Sequence, residues 1–151
     1  NPGRYPLWYI SRPRVSTRSK SRKAALDLLY EADIRGRVAV DLLSSRMSGE
    51  EVYIREYTAQ LLEGVARARK KIDELITLHA QGWDMDRMPA VDRNILRIAI
   101  YELLWSTEIP DKVAISEALE LAKTLSTDDS VAYINGVLAT IAANRDDIVI
   151  S

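Results

Sequence analysis

From Ala24 to Ile141 the apolar residues of this 151-residue chain recur every three or four positions, and no extended run of them alternates. That period is the signature of amphipathic helices, and without a period of two there is nothing from which to build a sheet. Ala24, Ala25, Leu28, Leu29 and Ala32 define a first helix from Arg18 to about Arg35, with Gly36 as its stop. A short helix is expected around Val38 to Met47. Ile54, Tyr57, Thr58, Leu61, Leu62, Val65 and Ala68 mark a long one that runs on through Ile72, Leu75, Ile76 and His79, with a kink or a fresh start near Lys70. Gly82 and Pro89 bracket a connector, Trp83 to Met88. Ile95, Leu96, Ala99, Ile100, Leu103 and Leu104 then form the most apolar stripe of the chain, which belongs at the centre of a domain. Pro110 closes that helix, and Asp111 is the candidate N-cap of another, whose inner face is Ile115, Ala118, Leu119, Ala122 and Leu125. Ser126 to Ser130 is a cap-rich break before a last helix carrying Ile134, Val137, Leu138 and Ile141. The expected fold is a compact all-α single domain of about six or seven helices over residues 17–151.

Charge is distributed unevenly along this helical frame. The first 26 residues carry seven basic side chains and no acidic one, whereas the rest carries 14 Lys or Arg against 22 Asp or Glu. The net charge of -1 therefore conceals a cationic end and an acidic body. Arg18, Lys20, Arg22 and Lys23 lie at the start of the first helix, where a rigid element holds them as a positioned patch suited to phosphates; the bland alternative is a solvated face. Residues 1–16 contain Pro2, Pro6 and Pro13 with Arg4, Arg12 and Arg14, and read as a flexible basic arm. Trp8 and Tyr9 in that arm either stack on an unpaired base or simply cover an apolar groove.

Catalytic equipment is sparse. There is one His and no Cys, which excludes disulfides and thiolate metal sites. His79 falls on the apolar side of its helix and is expected to be a packed or interfacial imidazole. Asp128 and Asp129 are adjacent, which fits helix capping and not the separated, facing carboxylates of a glycosidase. The six glycines are scattered and assemble no nucleotide cradle, so no catalytic residue, metal or cofactor is expected. No apolar run approaches the ~18 residues that cross a bilayer, and a cytoplasmic location with no membrane partner is the simplest expectation. Such a chain is built to bind and not to convert.

Four stretches carry a resemblance: Arg18 to Tyr30 (RSKSRKAALDLLY), Leu61 to Val65 (LLEGV), Val91 to Leu103 (VDRNILRIAIYEL), and Val113 to Lys123 (VAISEALELAK) continued by Asp129-Ser130 and Tyr133 to Leu138 (YINGVL). In order and separation they resemble the NusB family of bacterial transcription antitermination factors, from Arg18 to about Ala142. The resemblance implies an all-helical RNA-binding protein that pairs with ribosomal protein S10 (NusE) on the boxA element of nascent leader RNA and joins an antitermination complex on RNA polymerase. It assigns Arg18, Lys20 and Arg22 to the family's basic helix start, although Ser19 stands where a basic residue is often found. It further associates Arg97, Asp129, Tyr133 and Asn135 with the RNA side, and Asp92, with Tyr30 close by, with the protein partner. Some family members form homodimers, and relatives carry a similar helical module ahead of an RNA methyltransferase domain; an RNA-binding module of that kind and a helical oligomerising protein are the alternative readings.

The residues themselves agree in type. Arginine offers a planar set of donors and lysine a mobile point charge, so Arg18, Lys20, Arg22 and Lys23 suit RNA phosphates. Tyr133 suits either stacking on a base or helix packing, and Asn135 either a base edge or a structural hydrogen bond. Asp129 can accept from a base amino group, orient an arginine or cap the last helix, and close helix contact is a sufficient reason for Gly136.

Overall fold

The computed structural model describes residues 16–45 and 52–150; the expected arm over residues 1–16 lies outside them except for Ser16. Among the described residues there are six α-helices: α1 (Thr17–Arg35), α2 (Ala39–Ser45), α3 (Val52–His79), α4 (Ala90–Trp105), α5 (Asp111–Leu125) and α6 (Asp128–Ala143), with 3-10 turns at Met85–Arg87 and Arg145–Asp147. No helix among them is long and apolar enough to cross a membrane.

α4 is the axis of the arrangement. It packs against α1, α3, α5 and α6, and it is buried almost all round, including every residue from Asn94 to Ile100. So little of α4 faces solvent that its buried polar residues Asp92, Asn94, Arg97 and Glu102 must find partners inside the protein. α1 and α3 form one flank and α5 and α6 the other, while α2 lies on α1 and α3. α5 turns Ala114, Ala118 and Ala122 inward, a stripe of methyl groups that admits it closely to its neighbours. Ile115 and Leu119 are only partly buried there, and Leu125, expected on the inner face, is exposed at the helix end.

The helix ends are set by local chemistry. The Ser16 hydroxyl accepts from the Ser19 amide at 3.0 Å to open α1, and Gly36 closes it in the left-handed region, φ 64°, with its N–H donating to the Ala32 carbonyl. α3 runs through Lys70 as one continuous helix, with no fresh start there. Asp111 does not cap α5. It is the first helical residue after Pro110, and its carboxylate accepts from Arg145. Nor does Asp129 cap α6: the Thr127 hydroxyl accepts from the Ser130 amide at 3.1 Å, which leaves Asp129 exposed in the first turn.

Gly64, and not Gly136, is the glycine required by close helix contact. A methyl group at Gly64 would overlap the Tyr101 ring of α4, whereas one at Gly136 would meet nothing within 4 Å.

Candidate nucleic-acid interface

The basic start of α1 divides into two kinds of cation. Arg18 and Lys20 are exposed. Arg18 Nη2 donates to Glu108 at 2.9 Å, and its guanidinium lies over the Tyr57 ring, 5.1 Å from the centroid. An exposed pair of that sort contributes about 0–1 kcal/mol, so a phosphate can replace Glu108 readily. Lys23 pairs with Asp27 one turn on, at 2.8 Å to both carboxylate oxygens.

Arg22 departs from the expected role. It is 3% exposed, with Nε 2.9 and 3.0 Å from the two Glu102 oxygens and Nη1 2.7 Å from Glu117. The Tyr57 hydroxyl also donates to Glu102, and the Ser19 hydroxyl to Glu117. Burial opposes the Arg22 charge, but the hydrogen bond and charge of Glu102 outweigh it and raise its pKa. Burial first, and then the bond to Glu102, pushes the Tyr57 phenol well above its ordinary value. As placed, the guanidinium joins α1 to α4 and α5 and is not presented to a phosphate. Its position was legible: Arg22 stands four residues before Leu26 and seven before Leu29, on the buried stripe of α1.

Arg97 is also turned inward. Its Nε and Nη2 donate to Asp73 at 2.9 and 3.1 Å, and its Nη1 to Asp33 at 3.0 Å. Asp33 gathers Arg93 at 3.1 Å and Asn94 at 2.9 Å on the same oxygen, so one carboxylate at the end of α1 ties down the first half of α4. Asp92, expected near the protein partner, is fully buried and accepts from Ser126 at 2.6 Å and Ser130 at 2.7 Å. Its task here is to pin the α5–α6 joint to the start of α4. Such a network makes Arg97 and Asp92 framework residues, because every charge must remain paired once desolvated.

What remains exposed lies near the two ends of α4. At one end are Arg18 and Lys20. At the other are Asp129 and Asn135, both exposed, with Tyr133 half-buried between them. The separation follows α4: ten residues from Asp92 to Glu102, about 15 Å of rise. Tyr133 meets Trp83 edge to face, centroids 4.9 Å apart and planes at 81°, while its hydroxyl donates to the Gln81 carbonyl at 3.2 Å. Burial of the ring raises its pKa. Tyr133 therefore combines the packing role with a partly open ring. His79 is a packed imidazole whose Nδ1 lies 2.8 Å from the Leu75 carbonyl, a bond in which the nitrogen donates. Among the described residues no group of three or more His, Asp or Glu is placed to hold a metal ion.

Tyr30 is 41% exposed, and Ile34, one turn later, and Val38, just past Gly36, are more open still. Three large apolar side chains at the exit of α1 are thus left to water, which solvates them poorly. Of these three the sequence singled out only Tyr30, yet the spacing of Ile34, off the buried stripe, carries the same signal.

This fold recurs in known proteins. A profile of the NusB family matches residues 19–143. The transcription antitermination protein NusB of Saccharopolyspora erythraea is 54% identical over 134 residues, covering 87% of this chain and 90% of that protein. The corresponding protein of Salinispora tropica is 53% identical over 131 residues, covering 85% and 96%. Among solved structures, T. maritima NusB matches with a TM-score of 0.77 at 30% identity, covering 87% of this chain and 97% of that one. A structure of antitermination factors NusB and NusE in complex with dsRNA matches with a TM-score of 0.74 at 25% identity, covering 84% and 96%. With a family match across most of its length and relatives above half identity, the chain belongs to the NusB family of transcription antitermination proteins.

Proposed function

We propose that this chain is a non-catalytic RNA-binding antitermination factor that pairs with ribosomal protein S10 (NusE) on boxA-like leader RNA and joins it to an RNA polymerase antitermination complex. The observation that carries the reading is the match along nearly the whole fold to a NusB whose structure includes both NusE and RNA. The charge pattern supports it. Arg18 and Lys20 offer phosphate contacts without base selectivity, whereas Tyr133 and Asn135 offer a ring and an amide able to meet a base. The open apolar surface at Tyr30, Ile34 and Val38 is the face we assign to S10, in place of the buried Asp92. A homodimer would use the same face, so self-association and S10 binding compete.

With few open phosphate contacts on an acidic body, the protein alone binds RNA weakly, and S10 enlarges the contact surface. The test is a titration of boxA-like, scrambled and duplex RNA, with and without S10, at controlled salt. Added S10 is expected to tighten binding of the single-stranded boxA-like RNA more than that of the other two. Affinities unaltered by S10, or equal for all three RNAs, would refute the assignment.

A further inference from the structure

We propose that the groove between α3 and α4, where Arg67, Lys70 and Lys71 stand beside the stacked rings of Tyr101 and Trp105, is a second site for single-stranded RNA. The site originates in helical spacing. Gly64, Arg67 and the pair Lys70 and Lys71 follow one another at three or four residues and so share one face of α3, opposite Tyr101 and Trp105, which are one turn apart on α4. Because Gly64 has no side chain, the Tyr101 ring lies directly against the α3 backbone. Trp105 extends that layer, its centroid 6.2 Å away and its plane within 6° of parallel. The groove has a volume of about 450 Å³, within the ~300–1,000 Å³ range of clefts that hold nucleotides and cofactors.

Charge indicates what it takes. At the start of α1 three of the four cations, Arg18, Arg22 and Lys23, are already paired with carboxylates. None of the three groove cations has an ion-pair partner among the described residues, and Glu74 is the one acid lining the groove. Among the described residues, therefore, the groove holds three unpaired cations where the start of α1 holds only Lys20. Phosphates satisfy such cations, and a flat aromatic layer takes any base by its π-face. An acidic peptide would use the charges and leave the rings idle, and a duplex keeps its bases stacked on one another, so the combination selects an unpaired strand. The inference rests on the RNA-binding reading above but concerns a different surface.

The full chain is titrated with oligouridylate over a range of salt, as parent, as the combined Arg67→Gln, Lys70→Gln, Lys71→Gln variant and as Trp105→Leu. Circular dichroism first establishes that each is folded. The triple variant is expected to bind about 10-fold more weakly at low salt and to lose about 2 from the slope of log affinity against log salt, at ~0.7 per phosphate contact. Trp105→Leu is expected to weaken binding about 10-fold with the slope unchanged. Oligonucleotides carrying 4-thiouridine should crosslink within residues 67–71 and 101–105. The three cations lie at the surface, so the glutamine variant remains decisive even if Trp105→Leu unfolds. If the parent binds oligouridylate and neither the slope nor the crosslinks involve the groove, or if the parent binds no oligouridylate, the inference falls while the proposed function is judged by its own titration of boxA-like RNA with S10. Displacement by polyglutamate at equal charge would overturn the assignment to RNA.

Discussion

The Arg22→Ala substitution leaves Glu102 sealed between helices with only the Tyr57 hydroxyl to answer its charge. Breaking a buried pair in this way costs about 3–5 kcal/mol, and the expected outcome is a much lower denaturant midpoint, with an RNA salt slope close to the parent's wherever the variant is folded. Urea unfolding and a salt-dependent titration measure the two separately. Tyr133 should divide differently. Replacing it with Phe removes one surface hydrogen bond to Gln81, worth about 0.5–1.5 kcal/mol, and keeps the ring, so RNA affinity should persist. Tyr133→Ala removes the ring as well, and a lost stacking contact of ~1–3 kcal/mol should appear as weaker RNA binding at an unchanged salt slope, provided thermal unfolding shows a folded protein. The sequence placed Arg18 and Lys20 correctly as open cations of a positioned helix start. It could not show that Arg97 and Asp92 are consumed by the framework, because their partners Asp73 and Ser130 lie 24 and 38 residues away.

Between elements, α3 and α4 approach closely at Gly64. Gly64→Ala forces its new methyl into the Tyr101 ring, an overpacking expected to cost about 1–3 kcal/mol. Thermal unfolding of Gly64→Ala, Tyr101→Leu and the double variant checks this: the double variant should be more stable than the sum of the single effects allows, since the smaller side chain leaves room for the methyl. Both Gly64 and Gly136 sit inside helical periods, and nothing local distinguishes them. Only the identity of the residue across the contact, 37 positions later in the chain, makes one indispensable and leaves the other in open space. Helix starts were more legible than helix caps for a related reason. Pro110 and the Ser126 to Ser130 run announced the breaks, but whether Asp111 or Thr127 accepts an amide depends on where the chain turns.

For the molecule as a whole, Asp33 is the carboxylate through which acid should act. Burial raises its pKa, but the Asn94 hydrogen bond and the Arg97 and Arg93 guanidinia outweigh burial and hold it below the ordinary carboxylate value. A carboxyl with a depressed folded pKa stabilises the fold fully above the unfolded value of about 3.9, and that contribution disappears as pH falls through the folded pKa. Denaturant unfolding across pH should therefore show stability falling below about pH 4, with a shallower acid limb in Asp33→Asn. The all-helical architecture itself was plain in the sequence, down to the centrality of α4, because the most apolar stripe of the chain is best satisfied by neighbours at the centre of a domain. The ionic network was not, because it is made of contacts between distant segments. That distance also has a consequence in time. Arg22 emerges from the ribosome 80 residues before Glu102 and 95 before Glu117. At about 5–20 residues per second, roughly 4–16 s pass in which the nascent helix carries a solvated Arg22 beside Arg18 and Lys20. Each newly made molecule thus begins as a more basic object than it ends, and completing the chain is what withdraws that charge from the cell's polyanions.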